Sequence, residues 1–463
     1  MYKDTLLIFV NRLFVNLSIV LGTYLFAHRL QPADFGVYQN FWIQFNTFFA
    51  VAGLGLASFI FSYTPQKVVQ IFKSLDAKRK SFGIGLIALC ALIFGLIQHN
   101  AGINFSYAAL FLAFNTLSIF TDSFLTIFKK YSTLVAINLG YFLLFTAFHV
   151  IAIRQDHFQF DHLVLALCLL VFLKCVISFY YLSKLFNTGE VQELQDRKYL
   201  RLWTHIYLFD LVQILVLYLD KFIVSVFTAA EVSVIYQNGT YPIPIIPILF
   251  TAVSSVTLMR FSSESGNEAS QAKILSDSGK ALSTAVFPVF FFFLFFSKEF
   301  VQFYFSDKYL ASVPIFRMSL LMLPFKAFNF TLLFQRKEMG SLINKGVVVD
   351  ICTLLLLVFP LYQLLGLKGI PLSYALATLA QAAFYIYHHK KVLGQNISAI
   401  LPLKDWARKV LIFGTLSFAL HYVFTELVFL PLFWTLALSF ATIALIAGGF
   451  LYKEIISNSN VRH

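Results

Sequence analysis

Fourteen apolar runs, each about 17 to 28 residues long, divide this chain almost end to end, and a run of that length crosses the hydrocarbon core of a bilayer as an α-helix. In lipid there is no water to satisfy backbone N–H and C=O groups, so each run must satisfy its own. The runs cover 6–27, 37–62, 82–98, 106–128, 133–153, 163–183, 206–227, 233–260, 281–297, 314–334, 347–366, 370–388, 410–428 and 433–452. Only 12% of residues are charged, against about 25% in a soluble domain. The expected fold is therefore all-α, a polytopic membrane protein of about 14 transmembrane helices. The first run is too long for a signal-peptide core and continues into His28 and Arg29 without a small-residue cleavage site, so it is expected to remain as a helix.

The net charge of +13 sits mainly in short loops on one side of the runs, each following an even-numbered run, in 67–80, at Lys129 and Lys130, and in 184–201 and 390–409. That is a topology signal, not a nucleic-acid surface, and it places both termini in the cytoplasm. None of the loops is long enough for a soluble catalytic domain. The longest outer one, 297–313, is amphipathic and Phe-rich, as an interfacial segment is. Cys90, Cys168, Cys175 and Cys352 lie inside apolar runs without metal-ligand or disulfide spacing. With no Walker A loop, no His-Glu-x-x-His and no paired carboxylates in an aqueous loop, neither enzyme nor cofactor is expected.

Charges inside the runs carry the functional signal, because one at a helix centre costs about 2.5 to 3.5 kcal/mol. The bases are Arg12, Lys174, Lys221, Arg317 and Lys326; the acids are Asp122, Asp210, Asp220 and Asp350. Arg317 and Asp350 lie near run ends, where snorkelling toward water explains them. Arg12, Lys174 and Lys326 lie deeper and must face protein or water. In the seventh run Asp210, Gln213, Asp220 and Lys221 fall within about 100° of one another on a helical wheel. Polar stripes also mark the first run (Arg12, Asn16, Thr23) and the second (Asn40, Gln44, Thr47), while the eighth carries Tyr236, Gln237 and Asn238. Together these are what a wet cavity needs. The competing reading is interhelical ion pairing, for instance of Arg12 with Asp210. Pro242, Pro244 and Pro247 interrupt the eighth run and remove backbone hydrogen bonds, which suits a gate hinge.

The segment Ala33-Asp34-Phe35-Gly36-Val37-Tyr38-Gln39-Asn40 is echoed roughly 200 residues later by Ala230-Glu231-Val232-Ser233-Val234-Ile235-Tyr236-Gln237-Asn238, which points to parallel repeats with a substrate path between them. The expected organisation is an N-terminal lobe of helices 1–6 over 1–204, a C-terminal lobe of helices 7–12 over 205–404, and two further helices with a cytoplasmic tail over 405–463. The stretch Leu30-Gln31-Pro32-Ala33-Asp34-Phe35-Gly36-Val37-Tyr38, followed by Gly53-Leu54-Gly55, resembles the opening of bacterial oligosaccharide flippases of the multidrug/oligosaccharidyl-lipid/polysaccharide exporter superfamily. Two departures stand out. Ser233 replaces an expected Gly in the second copy, and Leu258-Met259-Arg260 lacks a terminal proline.

The resemblance implies a transporter in the cell (inner) membrane. It would flip a polyprenyl-diphosphate-linked oligosaccharide, of the lipopolysaccharide O-antigen kind, to the outer leaflet by alternating access for surface polysaccharide biosynthesis. Arg12, Lys174, Lys326 and Lys221 are then the candidate ligands of the diphosphate, which needs charge-assisted donors. Asp210, Asp220 and Asp122 are candidates for ion coupling or ion pairing, and Asn16, Asn40, Gln44, Gln213 and Asn238 for the polar lining. An inside-negative potential favours outward movement of two negative charges by about 4 to 5 kcal/mol per 100 mV. The expected partners are the lipid-linked substrate, membrane lipids and a polysaccharide polymerase, around a monomer. The alternatives are a cation-coupled multidrug exporter, for which acids should dominate the cavity, and a membrane polymerase or glycosyltransferase, which needs a long outer loop.

Overall fold

The structure is a computed structural model that describes residues 2–61, 63–154, 159–186, 198–243, 246, 250, 253–254, 257, 260–261, 267–337 and 339–460. Among these there is helix and no strand. The helices are α1 (Tyr2–Arg29), α2 (Pro32–Ala52), α3 (Leu56–Ile60), α4 (Pro65–Ser74), α5 (Ala77–Asn100), α6 (Phe105–Ile127), α7 (Tyr131–Ala152), α8 (Phe160–Phe186), α9 (Lys198–Phe227) and α10 (Ala230–Gly239). There follow α11 (Glu268–Phe295), α12 (Ser297–Tyr304), α13 (Val313–Leu320), α14 (Leu332–Arg336), α15 (Gly340–Leu365), α16 (Gly369–Leu393), α17 (Ile397–Ile400), α18 (Leu403–Tyr422) and α19 (Leu432–Asn460). Their starts follow local chemistry. Pro32 and Pro65 occupy first turns that need no N–H, and Asp76 and Asn267 accept the Arg79 and Ser270 amides as N-caps.

Nine stretches among the described residues are long and apolar enough to cross a membrane by length and composition, and one of them, Gly340–Leu393, contains two helices. The protein is a multi-pass membrane protein. Its outward residues fit that medium: Leu355, Leu356 and Phe359 on α15 are all more than half exposed, which suits lipid and not water.

Contacts divide the chain into two compact units, Met1–Val234 and Ile235–His463. In the first unit α6 packs on α5 and α8, α7 on α1 and α8, and α2 on α5 and α9. Its middle is aromatic: Phe41, Trp42 and Phe45 of α2 meet Phe111 of α6 at 5.3 to 5.7 Å, and Phe41 also meets Phe94 of α5. Below them α4 turns Val68 and Ile71 into a cluster with Phe59, Phe124 and Leu182.

In the second unit α11 is the central helix, packed on α18, α19 and a 3-10 turn at Leu323–Ala327. Its Val286, Phe287 and Phe292 form a core with Phe413 and Ile443. The outer segment 297–313, expected as an interfacial strip, is folded onto this unit as α12 and a 3-10 turn, because its apolar groups find partners there. Val301, Phe305 and Tyr309 are fully buried, and Phe300 stacks on Phe316.

Three of the expected runs are not continuous helices. The second breaks at Gly53-Leu54-Gly55, where Leu54 and Gly55 both have positive φ (52° and 59°). The eighth stops at Gly239, and Thr240–Ile243, with Pro242, is non-helical. The tenth is broken into α13, the 3-10 turn, an extended Phe328 (φ −146°, ψ 139°) and α14. Pro324 at the second position of that turn supplies no N–H to continue the ladder.

Candidate functional site

The expected site residues in the first unit fall into two groups. At one, Lys174 of α8 places its Nζ 2.8 Å from Asp122 Oδ2 of α6, with side chains 10% and 21% exposed. Asn138 of α7 donates to the same oxygen at a long 3.5 Å, and the ammonium lies 5.2 Å from the centre of the Tyr141 ring. Three helices thus converge on one ion pair, and Asp122 Oδ1 has no hydrogen-bond partner among the described residues. This geometry favours the ion-pair reading of Lys174 over a free cavity cation.

The second group is the seam between α2 and the α9–α10 segment. Asn40 accepts a hydrogen bond from Ser233 at 2.7 Å, and Gln44 donates to Ser225 at 3.1 Å while accepting from Gln98 of α5. At one end of the seam a Cβ on Gly36 would collide with the Ala230 carbonyl. At the other end, a Cβ on Gly55 would stand 2.7 Å from the Tyr207 Cα. There Trp203 Nε1 donates to the Leu54 carbonyl at 2.8 Å, a group the left-handed break frees from the helix ladder. Gly53-Leu54-Gly55 therefore lets a backbone pass close to α9 and exposes an acceptor to it.

Elsewhere on α9, Asp220 and Lys221 are neighbours at 3.7 Å, and Lys221 also donates to the Leu217 carbonyl. Asp210 is half-buried on the same helix. The side chains of Arg12 and Asn16 on α1 and of Gln213 on α9 lie outside the described residues, and so do Pro244 and Pro247. The postulated Arg12–Asp210 pair lies there too. Because α9 packs along α2 and α3, contact division places it with the first unit, whereas the repeat pattern counts it as the start of the second half.

In the second unit Asn238 is fully buried, and Pro242 is exposed just beyond the end of α10. Lys326 lies in the 3-10 turn of the broken tenth run. It is exposed, with its Nζ 5.7 Å from the centre of the Phe250 ring and under the electrostatic influence of Asp350 on α15. Beside it Asn329, 8% exposed, donates to Ser254 at 2.7 Å and accepts from the Thr331 amide and hydroxyl, so one side chain holds the break together.

Of the two charges near run ends, one lies on α15 and the other on α13. Asp350 sits ten residues into α15, because the helix begins at Gly340 and not at 347. Arg317 donates from Nε to Ser297 at 2.6 Å.

No pattern in the chain marks Asn329 with Ser254, or Gln98. Lys409, assigned to a cytoplasmic loop, is fully buried, forms an ion pair with Asp405 at 2.6 Å and donates to the Lys280 carbonyl and to Ser283, which ties α18 to α11. The Asp405–Lys409 spacing of four on one helix face was the available signal.

Residues 25–314 match the model of a family described as polysaccharide biosynthesis protein. No curated protein matches the chain. Among solved structures the chain is similar to the lipid II flippase MurJ in an inward closed conformation, at TM-score 0.69 and 13% identity over 98% of this chain and 100% of that one. It is also similar to an inward-facing multidrug resistance MATE family transporter of the MOP superfamily, at TM-score 0.57 and 14% identity over 81% and 93%. A third likeness is to a MOP superfamily transporter from Pyrococcus furiosus, at 0.53 and 13% over 85% and 95%. At such identities the likeness is one of fold.

Proposed function

Since the chain belongs to the polysaccharide biosynthesis protein family, we propose that it is a flippase, carrying a polyprenyl-diphosphate-linked oligosaccharide from the cytoplasmic to the outer leaflet of the cell membrane. It works by alternating access between two six-helix repeats, with both termini cytoplasmic, as a monomer that hands its cargo to a polymerase. It performs no chemistry on the sugar.

The observation that carries this reading is Lys326: a cation in a broken transmembrane run, with Asp350 as the acidic influence on it among the described residues. Interrupted helices and intramembrane charge occur where a polar ligand is handled. A diphosphate supplies the counter-charge that such a lysine needs, and the polyprenyl tail can stay in lipid while the sugar crosses. Lys174, by contrast, is assigned to holding α6 and α8 together through Asp122.

Replacement at Lys326 tests the assignment. Lys326→Gln should abolish movement of lipid-linked sugar in proteoliposomes while the purified protein keeps its thermal midpoint, and Lys326→Arg should restore part of the rate. A Lys326→Gln variant that transports at the native rate would remove this residue from the site. Transport of a cationic drug in place of the anionic lipid would favour the multidrug-exporter reading, which the likeness to a MATE fold keeps in view.

A further inference from the structure

We propose that the corner where α4 meets α5, together with the α6–α7 turn, is a docking surface for the headgroups of anionic phospholipids. The inference does not depend on what the protein transports. Between Asp34 and Asp122 the sequence has one acidic residue, Asp76, and over the same interval its Lys and Arg residues, Lys67, Lys73, Lys78, Arg79 and Lys80, all fall within α4 and the first turn of α5. Asp76 is occupied: it accepts the Arg79 amide at 3.2 Å and lies 3.7 Å from the Arg79 guanidinium. Lys67, Lys78 and Lys80 are exposed.

The placement of these lysines says what kind of anion they meet. On α5, Phe82, Leu89 and Leu96 are 68%, 54% and 58% exposed and fall on one face at helical spacing, the face that acyl chains cover. Lys78 lies one turn before Phe82 on that face, and Lys80 lies one turn before Ile84, itself 68% exposed. A rise of about 5.4 Å per turn carries the chain from acyl level to headgroup level. An anion bound by these ammonium groups is therefore attached to a lipid.

Helix α4 does not itself insert into lipid. Its apolar residues Val68, Val69 and Ile71 are buried against protein, so Lys67 stays on the outward face, 4.9 Å from the Tyr63 ring centre. The α6–α7 turn adds a separate observation. Phe128 packs against the same cluster as α4, and the next residue, Lys129, ends α6 with φ 57°, followed by Lys130; both lysines are exposed. Glycine is the usual residue in that left-handed position, and a lysine there strains the backbone. The strain keeps a charge where glycine would give none.

The test is phosphatidylglycerol titrated into the purified full-length protein in detergent, with bound lipid counted by native mass spectrometry. The wild type should retain phosphatidylglycerol in preference to phosphatidylcholine. The Lys67→Gln/Lys78→Gln/Lys80→Gln variant should lose affinity by about fivefold per lysine. The corresponding triple arginine variant should bind as the wild type does, and a Lys308→Gln/Lys368→Gln control should change nothing. Equal retention by the glutamine variant, equal binding of the two lipids by the wild type, or loss of binding in the arginine variant would overturn the proposal. Displacement of phosphatidylglycerol by millimolar inorganic phosphate would do so as well, since it would make this a site for soluble anions.

Discussion

Replacing Lys174 by Met should expose how the first unit holds a charge within its helices. The ammonium is 2.8 Å from Asp122 Oδ2, and among the described residues Asp122 has one other side-chain donor, Asn138 at 3.5 Å. Removing Lys174 therefore leaves a carboxylate between α6, α7 and α8 with one weak partner and an unsatisfied second oxygen. Breaking a buried pair in this way costs about 3 to 5 kcal/mol, and since Asp122 keeps 21% of its side chain exposed the lower end applies. For a unit of this size about 3 kcal/mol corresponds to a fall of about 6 to 12 °C in thermal midpoint. The Lys174→Met/Asp122→Asn double variant removes both charges and should recover most of the loss, a coupling of about 2 to 3 kcal/mol. The assay is thermal unfolding of the purified protein in detergent for the wild type, both single variants and the double. Additive losses, or a Lys174→Met variant as stable as the wild type but unable to transport, would refute the pairing and return Lys174 to the substrate.

Gly36→Ala should lower stability by about 1 to 3 kcal/mol, because its Cβ meets the Ala230 carbonyl, whereas Gly85→Ala has open space and should change little; thermal midpoints compare the two. Glu299, outside the spans, gives a pH dependence. Burial pushes its carboxyl up, but the hydrogen bond from His421, a backbone hydrogen bond of its own and the charges of His421 and Lys298 outweigh that and hold it below its ordinary value. A depressed folded value means that its stabilisation is present at neutral pH and disappears as pH falls through that value. The midpoint difference between wild type and Glu299→Gln should therefore be positive at pH 6 and shrink below about pH 4. A constant difference across that range would contradict the assignment. Cysteines at Lys67 and Lys308 should label from inside and outside intact cells respectively, and the reverse pattern would invert the topology.

Much of the fold was legible because lipid imposes one rule on every segment. Ten of the fourteen apolar runs correspond to the nine apolar stretches, the pair within Gly340–Leu393 counting as two, and their helices follow from length alone. The interruption of the eighth run was legible from its prolines, beginning with Pro242, whereas Gly53-Leu54-Gly55 was read only as a mark of resemblance inside one continuous run. The break at Phe328 was not legible, since Pro324 alone reads as a kink, and the bonds that hold the break come from Ser254, distant in sequence.

Polar residues were legible as polar, but not their partners. Lys174 and Asp122 were each picked out for lying in apolar runs, yet only the packing of α6 on α8 makes them a pair. Lys409 escaped notice for the opposite reason: it stands at the end of a basic loop, and its burial depends on α11, more than a hundred residues earlier. Periodicity reports which face of a helix is unusual, and tertiary packing decides what that face meets.

Translocation of a polyprenyl-diphosphate-linked oligosaccharide across proteoliposomes containing only this protein tests the central claim most directly. The lipid is placed in one leaflet, and its sugar is then made accessible to an impermeant lectin or glycosidase on the other side. The account requires lectin-accessible sugar to appear at a rate that depends on protein and falls to that of empty vesicles with Lys326→Gln. Sugar that stays protected, while the same vesicles move a cationic dye, would contradict it.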